Sequence, residues 1–168
     1  LLRTLEDNLN KMCTLGEPGT NWTSTLDADP AIWGATNGNP PLTTDELIKI
    51  SDAWYPVHAM GYNWLQSNGD SGKKVAQRIR ELIAKYQSMK FKCEKVIVVT
   101  HSMGGLVGRA LVHPDYGNAQ DVVAGVIHGA MPATGAAAAY KRIRVGFEVG
   151  GTKNSRETAI ITPDSGRN

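Results

Sequence analysis

The chain has 168 residues, a size that fits one domain, and 41% of them are hydrophobic, enough to build a real core. A formal charge of +2 carries no basic footprint of a nucleic-acid binder, and no apolar run approaches the roughly 18 residues of a membrane-spanning helix. Two cysteines, Cys13 and Cys93, are too few for a disulfide scaffold and lack metal-ligand spacing. They read as unpaired thiols of a reducing compartment, with a single pair as the alternative.

The chain opens LLRTLEDNLNK, without an initiator Met, a basic n-region or a small-residue cleavage site. That opening reads as a slice of something longer or as a processed product. Residues 1–50 form a loop-rich N-terminal segment, with GEPGTNWTSTLDADPAIWGATNGNPP at its centre. Trp22, Ile32 and Trp33 imply that this segment packs on something. The sequon NWT at Asn21 has meaning only in a host that glycosylates. In TTDELIKISDAW, Thr43 or Thr44 can cap a short helix carrying Leu47, Ile48 and Ile50. A short strand is expected near residues 57–60, ending at Gly61.

A core segment is expected over residues 51–150. Its clearest helix is SNGDSGKKVAQRIRELIAKYQSMK, where Val75, Ile79, Leu82, Ile83 and Tyr86 recur at helical spacing. EKVIVVT follows, a β-branched run without alternation, as expected for a strand covered on both faces. MGGLVGRALV reads as a helix despite its glycines, stopped by HPDYGN, and DVVAGVIHGA as another buried strand. PATGAAAAYKRIRVGF reads as a short helix with a basic face, and residues 151–168 as a tail with one further strand and a loop. Strand, helix, strand, helix, strand implies an α/β fold with a mostly parallel sheet. In such sheets chemistry gathers at the carboxyl ends of the strands. The loop after Met60, the turn at Ser102 and the loop after His128 share that edge.

Two serines have motif-like surroundings. GDSGKK, residues 69–74, echoes both a protease turn and part of a phosphate loop, but it opens an amphipathic helix and lacks the remaining phosphate-loop residues. Asp70 or Ser71 is more simply a helix cap. THSMG, residues 100–104, fits a nucleophile elbow, G-x-S-x-G between a strand and a helix, with Thr100 where the first glycine usually sits. The strained turn exposes the serine oxygen beside a helix N-terminus, whose N–H groups can stabilise an oxyanion. Residues two before and two after the serine should then be small, and Gly105 and Gly108 should let the helix lie close to the strands. In the plainer alternative, Ser102 only caps the helix of an unrelated α/β protein.

VVTHSMGGLVGRAL resembles the elbow of α/β-hydrolase lipases and esterases, in the branch of lecithin:cholesterol acyltransferase-like and GPI-inositol-deacylase-like enzymes. The longer run from MGYNWLQSNGDSGKKVAQRI to VIHGAMPATGAAAAYKRIRVGFE is similar to a bacterial group of lipase-like proteins, some linked to type VI secretion as antibacterial effectors. The resemblance spans about residues 42–148. It implies an ester or lipid substrate, Ser102 as nucleophile and the Met103 N–H as an oxyanion donor. Thr100, His101, Gly104 and Gly105 would complete the elbow, with His101 a neighbour of the nucleophile rather than its base. Tyr62, Asn63 and Trp64 would line the substrate pocket, with core packing as the alternative for the two aromatics. It also implies a bacterial cytoplasmic or secreted location, and a secretion-apparatus or immunity partner. No metal or organic cofactor is expected.

A serine hydroxyl needs a base and the base an orienting acid, in this fold ordered Ser, acid, His. His113 stands at the far end of the elbow helix, and His128 occupies the slot where relatives carry a structural turn. His58 precedes the elbow. Asp164 fits the family's acid position, but no histidine follows it. The early strand with its glycine-rich oxyanion loop is not found in residues 1–50. The chain therefore reads either as the middle slice of a larger hydrolase or as a catalytically incomplete α/β module that binds a ligand or partner. By itself it is expected to hydrolyse esters little or not at all. Lys141, Arg142 and Arg144 give the segment after His128 a basic amphipathic character that suits anionic lipid headgroups, with an ordinary surface helix as the alternative.

Overall fold

A computed structural model describes residues 1–145, and the side chains of Trp33, Ile143 and Val145 lie outside the described set. The predicted strand in 151–168 lies outside the described residues. The chain divides into two compact units, Leu1–Gly61 and a second beginning at Tyr62.

The first unit contains α1 (Leu2–Leu9), a minimal hairpin of β1 (Cys13–Thr14) and β2 (Glu17–Pro18), two single turns of tight helix at Thr23–Thr25 and Pro30–Trp33, and α2 (Thr44–Ser51). The hairpin turns on Leu15 and Gly16, both at positive φ (53° and 83°), as a two-residue turn matched to strand twist requires. Thr43 and Glu46 close a reciprocal capping box at the start of α2, so Thr43 is the cap. Asn10 joins distant segments by donating to the Tyr55 carbonyl (2.9 Å) and accepting from the Tyr55 amide (2.8 Å). Trp22 is half-buried and its indole N–H donates to the Asn8 carbonyl, whereas Ile32 is exposed. Residues 57–60 form no strand. Pro56 removes an amide donor just before them, and Ala59 and Gly61 are weak strand formers.

The second unit is built from α3 (Asn68–Ser88), β3 (Val96–His101), α4 (Gly104–Val112), β4 (Val123–Gly129) and α5 (Ala137–Val145). β3 and β4 pair in parallel, with Thr100 opposite His128 and His101 opposite Gly129. The helical spacing of the sequence is realised in α3, which buries Val75, Ala76, Ile79 and Ile83. They form a core with Val107, Ala110 and Leu111 of α4 and with Ala119. Gly72 permits the close approach of the two helices: a Cβ there would stand 2.8 Å from the backbone carbon of Ala110. Arg80 ties α3 to the segment before β4, reaching Asp121 Oδ1 at 2.9 Å and the Asn118 carbonyl at 3.1 Å.

Two features of this unit differ from the pattern expected of its sequence. The cap of α3 is Ser67, whose hydroxyl accepts from the Gly69 amide, rather than Asp70 or Ser71. The first turn begins earlier because Ser67 holds the extended backbone that a cap needs, while Asp70 and Ser71 are already helical. The strands are also not covered on both faces. Side chains alternate along β3, and Ile97, Val99 and, on β4, Ile127 are 61%, 63% and 59% exposed. Among the described residues only the opposite face, under α4, is covered.

Candidate active site

The site is the junction of β3 and α4. β-Branched residues carry β3 to His101, the chain reverses at Ser102, and α4 starts two residues later. Ser102 has φ +51°, the left-handed region that a non-glycine residue enters at a cost of about 1–2 kcal/mol. Its surroundings over-determine that conformation. The Ser102 amide donates to the Gly129 carbonyl at 2.9 Å, and the Ser102 carbonyl accepts from the Gly105 amide at 2.9 Å. The turn at Ser102 and the end of β4 are therefore joined, as their shared sheet edge implied. Ser102 is exposed. Among the described residues, the amides of Met103 and Gly104 donate to no protein acceptor, so two N–H groups are free at the N-terminus of α4 beside the serine.

The tight places are not where the five-residue pattern puts them. A Cβ on Gly104 would meet only ordinary contacts, 3.8 Å from Tyr62 Oη and 3.9 Å from Thr100 Cβ. A Cβ on Gly105 would press into Met131 at 2.5–2.8 Å, and one on Gly108 would stand 3.0 Å from Thr100 Cγ2 and 3.3 Å from His128 Cε1. Glycine is needed where α4 crosses the strand ends, not two residues after the serine. Thr100 needs no smaller substitute, because its side chain faces α4 and its hydroxyl lies 2.7 Å from His128 Nδ1. Reading the strands singly misses this pair and Met131; the signal for the pair was the parallel register, which sets residues 100 and 128 opposite each other.

Tyr62 is half-buried and its hydroxyl borders the elbow at Gly104. Asn63 is occupied locally, its carbonyl accepting from the Gln66 amide and the Ser71 hydroxyl and its Oδ1 from the Leu65 amide. Trp64 is 58% exposed, which removes core packing as its role. His101 is exposed, and its ring lies on the open side of the sheet next to Gly129. His113 caps α4 at its far end, where Nδ1 accepts from the Asp115 amide and the ring packs on Tyr116. His58 belongs to the first unit. Ser71, the competing serine, is 1% exposed and donates to the Asn63 carbonyl, so it is unavailable as a nucleophile.

Among the described residues, no histidine is hydrogen-bonded to Ser102 and no group of three or more His, Cys, Asp or Glu is placed to hold a metal ion. Asp164 lies outside the described residues. Lys141, Arg142 and Arg144 are exposed on α5, which carries no acid in its first turn. No helix among the described residues is long and apolar enough to cross a membrane.

The family model described as PGAP1-like alpha/beta domain matches residues 62–149. No curated protein and no solved structure matches the chain.

Proposed function

Because the chain belongs to the PGAP1-like alpha/beta domain family, a lipase/esterase-like α/β-hydrolase family, we propose that it is the nucleophile-bearing part of a serine ester hydrolase acting on carboxylic esters of lipids. One observation carries the reading: an exposed serine held at φ +51° between a parallel strand and a helix whose first amides are free. Ser102 Oγ attacks the ester carbonyl, and the oxyanion that forms accepts from the Met103 and Gly104 amides, which need no rearrangement to receive it. The proton of Ser102 passes to a histidine not in contact with it among the described residues. Tyr62, whose hydroxyl borders Gly104, suits the substrate side of the elbow, and Trp64, exposed with no core to fill, offers aromatic surface for an acyl chain.

The reading is tested on the protein as its own cells make it, with a fluorophosphonate probe and a p-nitrophenyl ester. Expected is a covalent adduct on the peptide carrying Ser102, lost in Ser102→Ala together with ester turnover. An adduct elsewhere, or turnover untouched by Ser102→Ala, overturns it. The alternative, a binding module without catalysis, is favoured if the serine never reacts.

A further inference from the structure

We propose that Thr100 and His128 form a positioning pair that holds the Ser102 turn in its left-handed conformation, an inference that rests on the nucleophile role given to Ser102. Three observations converge on it. The two residues are direct partners in the parallel ladder, two positions before the serine on β3 and one before its amide's acceptor, Gly129, on β4. Their side chains meet at 2.7 Å, Thr100 Oγ1 to His128 Nδ1. Gly108 of α4 lies against both, close enough that a Cβ there would crowd the Thr100 methyl group and the imidazole edge. The pair thus sits between the strand ends and the helix that the turn must connect.

The Thr100 hydroxyl has one proton and lies 3.3 Å from the Ile127 carbonyl as well as 2.7 Å from the imidazole. Donating to the carbonyl, it accepts from an Nδ1–H imidazole; donating to Nδ1, it pairs with an Nε2–H imidazole, and in both arrangements the two side chains are hydrogen-bonded across the strands. With the Ser102 amide on the Gly129 carbonyl, the turn is anchored to two consecutive residues of β4. Backbone strain persists where the surroundings over-determine it. The departure of Thr100 from glycine in the elbow pattern is then a gain of anchorage. Thr100 and His128 act through Ser102 and do not touch the reacting atoms.

The test combines the imidazole nitrogen shifts of His128 with the amide-to-α-proton coupling of Ser102, in isotopically labelled wild type, Thr100→Val and Thr100→Ser. Expected are a hydrogen-bonded Nδ1 in the wild type, a shifted Nδ1 resonance in Thr100→Val with a changed Ser102 coupling, and recovery of both in Thr100→Ser. An Nδ1 resonance that is the same in wild type and Thr100→Val overturns the pair. So does a Thr100→Val protein whose Ser102 coupling is unchanged. If Thr100→Val does not fold, His128→Ala decides instead: a changed Ser102 coupling supports the pair and an unchanged one overturns it. In the source protein, Thr100→Val should slow phosphonylation of Ser102 by about tenfold, the scale of one lost hydrogen bond. Absence of phosphonylation in every form counts against the nucleophile role alone, because the nitrogen shifts and the coupling are read without any reaction.

Discussion

The two units are held together by different physics. In Leu1–Gly61 the described core is Met12 and Leu47, and hydrogen bonding does much of the rest: locally a capping box, an Asp29 side chain accepting from the Ala31 amide and a two-residue hairpin, and across the unit the Asn10–Tyr55 pair. From Tyr62 onward two helices and a parallel strand pair share an apolar core, and the turn that joins β3 to α4 carries a left-handed serine. A unit built from local bonds loses little with any one of them. A unit built from packing concentrates its sensitivity at the contacts where backbones nearly touch, and that rigidity lets it carry a strained serine.

Substitutions sharpen this contrast. Leu47 is fully buried, and Leu47→Ala should cost about 2–5 kcal/mol, enough to melt α2 in a unit with so small a core. Retention of α2 by hydrogen exchange in that variant breaks the claim that Leu47 centres the unit. Gly72→Ala should cost about 1–3 kcal/mol, because the added carbon meets backbone atoms of α4 that cannot step aside. Gly105→Ala should cost a similar amount, since the added carbon meets Met131 Cβ, which no side-chain rotation moves. A variant of either glycine as stable as wild type in denaturant titration refutes the close-approach argument. Thr43→Ala should cost about 1 kcal/mol, the worth of one helix cap.

The smallest effect is one of pH. The Thr43 amide and then its hydroxyl hold the Glu46 carboxyl below its usual range, with Lys49 adding to the effect and desolvation opposing it. A depressed folded value means the contribution is present above the ordinary carboxylate pKa and is lost as pH falls through the folded value. The melting difference between wild type and Glu46→Ala should therefore shrink on acidification; a difference independent of pH contradicts the capping role.

The same contrast explains what was legible in the sequence. Periodicity showed α3, and β-branched runs showed β3 and β4, because those elements are dictated by which side faces a core. A cap at Thr43 or Thr44 was legible because it is local, and the reciprocal bond with Glu46 selects Thr43. The open face of Ile97, Val99 and Ile127 was not, since a run of apolar residues reads as two-sided burial whether or not a second layer is present. At the site, Ser102 and the free amides after it follow from strand, glycines and helix. The Thr100–His128 contact depends on register between segments 28 residues apart, which no local pattern encodes. The strand expected near residues 57–60 failed for a related reason: a strand needs a partner as well as suitable residues.

In the proposed function, the strained turn makes Ser102 a nucleophile. The most direct measurement is peptide mapping of the source protein after a short fluorophosphonate exposure, beside its Ser102→Ala variant. A single adduct is expected on the peptide containing THSMGG, and none in the variant. Native, folded protein that stays unmodified at Ser102, or that is modified equally in the variant, would contradict it.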